Sequence, residues 1–209
     1  MLLNGKMEII FLRHSTTKGN EHRRFNGTTD DELSEAGIQL AEERAAIVPV
    51  PEHVYVSPLT RCGQTAEILW RDIDKTVVDE LREMSFGPFE GKNHEELEPD
   101  ALYSEWVNSS GAVAIPGLET IEESAERMIA ALQAVAADAE SRGFRRVAIL
   151  SHGGALGSLF FRIGRPEREQ YYDWTLKNCS GYLMELEKEP LGLRLISEIG
   201  DVAEDADDW

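Results

Sequence analysis

The stretch MEIIFLRHSTTKGN, residues 7–20, decides how the rest of this chain is read. Met7 to Leu12 is a near-continuous apolar run of strand length, the pattern of a strand buried on both faces. It delivers a guanidinium and an imidazole, Arg13-His14, to its carboxyl end. Two later stretches repeat the design. Val54 to Ser57 runs into Ser57-Pro58-Leu59-Thr60-Arg61, and Arg146 to Ser151 runs into Ser151-His152-Gly153-Gly154.

Between these runs the apolar spacing is helical. Glu35 to Ile47 follows Ser34 as N-cap, and Thr60 to Ile73 carries Ala66, Leu69 and Ile73 on one face. Thr120 to Ser141 starts with a Thr120/Glu123 capping box and stops at Gly143, and Gly154 to Ile163 follows the last strand end. A further strand begins at Val77-Val78. Gly181 to Glu187 and Leu193 to Ile199 read as a terminal hairpin broken at Pro190-Leu191-Gly192. Strands alternating with helices predict an α/β fold, a three-layer α/β/α sandwich around a largely parallel sheet. Ligands in such folds sit at the carboxyl ends of strands. One domain is expected over residues 1–200, with an acidic tail over 201–209.

Charge narrows the partners. Lys and Arg total 21 against 39 Asp and Glu, a net charge of −18 in 209 residues. That surface repels nucleic acid and anionic lipid, and repels phosphate esters too. Any anion site must therefore be a local concentration of Arg, His and backbone N–H groups. No apolar run reaches the ~20 residues that span a bilayer, and residues 1–12 do not read as a signal peptide. The expectations are a cytoplasmic location, no nucleic-acid or membrane partner, and an oligomeric state that leaves room for a homodimer. Cys62 and Cys179 lack metal-ligand spacing and read as packing residues.

Taken singly, each candidate has an ordinary structural explanation: Arg13-His14 as a surface turn, Arg61 as a loop cap, His152 as a buried strand-end histidine, Glu83 as one acid among many. As a set they suit phosphoryl transfer. Arg13 and Arg61 offer planar forks that match phosphate oxygens. His14 offers a nucleophilic nitrogen, whose proton affinity nearby cations lower. Gly153 permits close approach of backbone to a ligand. Glu83, among Leu81, Met84 and Phe86, is the candidate proton donor, with apolar surroundings expected to raise its pKa. No acidic metal cluster accompanies them, and neither metal nor cofactor is called for.

At this point the chain resembles the histidine phosphatase superfamily, with its phosphoglycerate mutase-like fold. The opening pattern Arg-His-Gly-x-Thr-x-x-Asn appears as Arg13-His14-Ser15-Thr16-Thr17-Lys18-Gly19-Asn20. Ser57-Pro58-Leu59-Thr60-Arg61, then Thr65-Ala66, matches the second signature. Leu81-x-Glu83 with Gly87 and Glu90-Gly91 matches the third, Pro116-Gly117-Leu118-Glu119-Thr120 the fourth and Ser151-His152-Gly153-Gly154 the last. The blocks keep family order from about residue 8 to 199.

The resemblance implies that His14 attacks phosphorus, that Arg13, Arg61 and His152 hold the phosphoryl oxygens, and that Glu83 acts as general acid and then base. Asn20 is implied as a further phosphate contact, while Glu119 and the segment from Glu21 to Gly27 lie near the pocket mouth. Ser15 departs from the family glycine. A required positive φ there would cost on the order of 1 kcal/mol, whereas the hydroxyl could add a phosphate contact. Family mutases carry a longer segment between the Glu block and the last His. The expected activity is thus hydrolysis of a small phosphorylated metabolite. The alternatives are a cofactor-dependent phosphoglycerate mutase and a catalytically impaired phosphate-ester-binding protein.

Overall fold

The structure is a computed structural model that describes residues 6–109, 111, 113–167, 171–174 and 176–201. Apart from Asp201, the expected acidic tail lies outside the described residues. In chain order the elements are β1 (Met7–Arg13), α1 (Lys18–Glu21), α2 (Glu35–Arg44), β2 (His53–Val56), α3 (Thr60–Leu69) and β3 (Lys75–Val77). Then come α4 (His94–Leu97), α5 (Ala101–Asn108), α6 (Ile121–Arg142), β4 (Arg146–Ser151) and α7 (Gly153–Ile163). The chain closes with β5 (Gly164–Arg165), β6 (Gly181–Lys188) and β7 (Leu191–Ile199).

One seven-stranded sheet runs β3-β2-β4-β1-β6-β7-β5. The β3, β2, β4 and β1 strands are mutually parallel, β6 is antiparallel to β1 and β7, and β5 is parallel to β7. The largely parallel α/β/α sandwich read from the pattern is the observed fold. Its layers follow from the two-residue alternation of a strand. On β1, Ile9 and Phe11 face α6 and α7, where they meet Met128, Leu132, Leu156 and Leu159. Ile10 and Leu12 face the opposite side and pack with Ala41 of α2 and Cys62, Ala66 and Leu69 of α3. All four β1 side chains are fully buried, each worth roughly 1.5–3 kcal/mol relative to exposure.

The caps were legible. Thr120 and Glu123 form the reciprocal box at the start of α6, and Gly143 ends it at φ 79°, a left-handed conformation open to glycine without strain. Other boundaries moved. The second helix stops at Arg44 rather than Ile47, short of Pro49 and Pro51, which cannot extend it. The third stops at Leu69 rather than Ile73. Trp70 turns out of helical geometry to bury its ring, and Lys75 Nζ takes up the carbonyls of Trp70, Arg71 and Ile73. The strand expected to begin at Val77 instead ends there. The terminal hairpin is tighter than expected, because Leu191 and Gly192 already belong to β7.

The segment between Phe86 and Leu118 had no sequence prediction beyond its motif. It builds a small separate core of Phe89, Leu97, Tyr103, Ile115 and Leu118, with Phe25, Phe86 and Trp106 packed against it. Its helices α4 and α5 are one and two turns long, too short for an apolar period to declare itself.

Candidate active site

The carboxyl ends of β1, β2 and β4 lie side by side, because β4 pairs in parallel with both of the others. Arg13, His14 and His152 therefore arrive together, and α3 brings Arg61 in from its first turn. The His14 and His152 rings are 5.1 Å apart, centroid to centroid, at 62°. Both imidazoles are buried, and Arg61 is only 1% exposed.

The His14 ring is oriented by its own chain. Nδ1 lies 2.6 Å from the Ser15 carbonyl, which can only accept, so Nδ1 carries the proton and the lone pair sits on Nε2. Burial holds the His14 pKa well below the ordinary imidazole value, and the charges of Arg61 and Arg13 push it the same way. His152 is lowered too, first by burial and then by His14, Arg61 and Arg13. Both rings are therefore neutral at neutral pH. His152 Nε2 meets Ser57 Oγ at 2.7 Å, and Arg61 Nε donates to Nδ1 at 3.3 Å.

Arg61 meets no carboxylate among the described residues. Its Nη1 donates to the Thr29 carbonyl at 2.7 Å, and Nη2 donates to the carbonyls of Asn26 at 3.0 Å and Gly27 at 3.2 Å. The loop that supplies these carbonyls is itself tied to Glu90, which accepts from Gly27 N, Thr28 N and Thr29 Oγ1. Gly27 has to be glycine for close approach: a Cβ there would lie 2.0 Å from the Met84 carbonyl oxygen. Arg13 sends Nη1 to the Leu176 carbonyl, and its guanidinium passes over Gly153, where a Cβ would lie 3.3 Å from it.

At Glu83 and Ser15 the structure differs from the sequence expectations. Glu83 is buried, but not in an apolar setting. Its carboxylate accepts from the backbone N–H groups of Gly154 (3.0 Å), Ala155 (2.7 Å) and Met84 (2.8 Å), and so occupies the N-terminal anion position of α7. The Ser15 hydroxyl does not reach toward His14; it donates to the Gly37 carbonyl at 2.7 Å, while Ser15 N–H donates to Thr65 Oγ1. Nor does Ser15 adopt a positive φ, which among non-glycine described residues occurs at Arg23 and Cys179, so the expected backbone cost does not arise. Glu119 is engaged in a nearly buried bidentate pair with Arg127, at 2.7 and 2.8 Å, beside a shallow groove of about 370 Å³ that it lines with Arg82 and Ser85.

Asn20 sits in the capping box of α1, where its Oδ1 accepts from Thr17. Ser57, Thr65 and Glu90, which hold the site together, were visible only as members of a motif, without a role. Asn178 was missed entirely. Its side chain reaches the His14 carbonyl, and no spacing links it to residue 14.

Comparisons with known proteins give the family and the fold. A family model for the histidine phosphatase superfamily (branch 1) matches residues 9–198. The chain is similar to phosphoglycerate mutase-like protein 4 of Arabidopsis thaliana, 32% identical over 76% of this chain and 71% of that protein. It is also similar to a metal-independent phosphoserine phosphatase of the same plant, 31% identical over 75% of this chain and 68% of that protein. In three dimensions it superposes on the alpha-ribazole phosphatase of Shigella flexneri with a TM-score of 0.76 at 22% identity, covering 95% of this chain and 100% of the other, a likeness of fold. No helix among the described residues is long and apolar enough to cross a membrane.

Proposed function

This chain belongs to the histidine phosphatase superfamily, and within it we propose that it is a metal-independent phosphatase, hydrolysing a small phosphorylated metabolite through a phosphohistidine on His14. The observation that carries this reading is the single available lone pair at His14. Ser15 fixes the proton on Nδ1, burial and two guanidinium groups keep the ring neutral, and Nε2 is left to attack phosphorus.

In the proposed first step His14 Nε2 bonds to phosphorus as the ester P–O bond breaks. The phosphoryl oxygens are gripped by Arg13, Arg61, His152 and Asn20, which neutralise charge on the transferring group. His152 Nδ1 accepts from Arg61 Nε, so the ring proton lies on Nε2 against Ser57 Oγ, and that N–H is the one His152 has to offer a phosphoryl oxygen. Of the five N–H donors of Arg61, four face protein acceptors and one remains on Nη1 for the substrate. Glu83 enters this step protonated on Oε2, the oxygen that meets a single amide, and gives that proton to the departing oxygen. In the second step it takes a proton from the water that cleaves the N–P bond, which frees His14 and releases phosphate. Substrate esters of the kinds named for the relatives, phosphoserine and ribazole phosphate, are the first to assay.

The test is hydrolysis of a generic aryl phosphate in excess chelator by wild type and His14→Ala. Chelator-resistant turnover that the substitution abolishes supports the phosphatase. Wild type that is folded yet inert across a panel of natural esters sinks it.

A further inference from the structure

The nucleophile loop is held from the far end of the chain. Arg13 N–H donates to the Ser180 carbonyl at 3.0 Å, and Cys179 N–H donates to the His14 carbonyl at 3.1 Å. Cys179 reaches that carbonyl from a left-handed backbone, φ 55°, a rare conformation for a residue with a Cβ. The same turn presents the Asn178 amide, whose Nδ2 donates to the His14 carbonyl at 3.1 Å and to Asn20 Oδ1 at 3.2 Å.

The orientation of Asn20 follows from what faces it. Thr17 N–H lies 3.1 Å from Oδ1, and a backbone N–H can only donate, so the oxygen and not the nitrogen of the Asn20 amide faces that way. Thr17 Oγ1 accepts from Asn20 N–H at 3.2 Å, which leaves its hydrogen to donate to Oδ1 at 3.1 Å. The Asn20 Nδ2 end is thereby turned away from Thr17. Both Thr17 contacts belong to a helix of one turn, which has little stability of its own. The contact from Asn178 comes from across the fold and does not depend on that helix.

We propose that Asn178 is a positioning residue that aims the Asn20 amide, N–H end outward, at the bound phosphoryl group; this rests on the phosphate-binding reading above. Asn178 also touches the His14 carbonyl, but Cys179 N–H serves that carbonyl already. Loss of Asn178 therefore falls on Asn20 and leaves the nucleophile's backbone held.

A double-mutant cycle on inorganic phosphate binding, read by titration calorimetry, tests this without requiring turnover. Asn178→Ala should weaken phosphate about tenfold, the scale of one hydrogen bond, in the wild-type background. In the Asn20→Ala background the same change should cost less than about twofold, because its route to phosphate is already gone. Equal losses in both backgrounds overturn the proposal. Asn178→Leu keeps the shape and the neutral charge without the donor, and completes the cycle if the alanine variant fails to fold, as judged by thermal melting. Wild-type affinity in Asn178→Leu also overturns it. No phosphate binding by wild type overturns this proposal and the proposed function together, whereas normal wild-type binding with independent losses removes Asn178 alone.

Discussion

The central strands carry arginines at both ends, and the two ends treat them oppositely. At the amino end of β4, Arg146 pairs with Glu8 at 2.6 Å while 43% of its side chain stays exposed. Glu52 accepts from the backbone N–H groups of Arg145 and Arg146, and Lys6 pairs with Glu185. At the carboxyl end Arg61 is buried, and its partners are three carbonyl oxygens and an imidazole. In a chain of net charge −18, acids are available to quench almost any cation. Withholding them from one buried guanidinium, beside two neutral imidazoles, is what makes an anion site.

That contrast can be broken most sharply at Arg61. Arg61→Ala should lower hydrolysis about a thousandfold, the scale of losing a transition-state donor in a dry site, and a near-normal rate would erase the distinction between the two ends. Glu83→Gln comes next. It should cost about a hundredfold on esters with poor leaving groups and much less on good ones, and equal losses across a leaving-group series would remove Glu83 as the acid.

A smaller effect appears in stability. His14 and His152 are held neutral in the folded state, with proton affinities well below the unfolded value of about 6.5. As pH falls below that value the unfolded chain binds protons that the folded chain does not, so stability declines with acidification. Urea midpoints between pH 8 and pH 5.5 should show that decline, and His14→Gln should reduce it; an unchanged slope would contradict the buried neutral ring. The smallest effect belongs to the other end of the sheet. Arg146→Ala should change stability by no more than about 1 kcal/mol, as exposed ion pairs do, and leave hydrolysis within twofold. A large loss of activity there would show that the two ends are coupled.

The sandwich was legible because its elements are long and regular. Ile9–Leu12 and Val147–Leu150 are unbroken apolar runs at the centres of their strands, and the Thr120–Gly143 segment announces both of its caps. The candidate site was legible for a related reason: His14, Arg61 and His152 stand directly beyond such strands, where the chain must leave the sheet. The cap segment was not, since its two helices are too short to show a period and its core is drawn from residues as far apart as Phe25 and Leu118.

Sequence by itself determined the order of the long strands and helices of the sandwich, the family, and which side chains reach the carboxyl edge of the sheet, because these depend on local period and on chain order. Only the tertiary structure decided what each of those side chains meets. Glu83 finds two amides of a helix start 71 and 72 residues on, Ser15 turns to Gly37, and Asn178 crosses 158 positions to Asn20. Hydrogen bonds are short and directional, so such pairings are fixed by how packed layers bring distant backbone together, and no spacing along the chain encodes that distance.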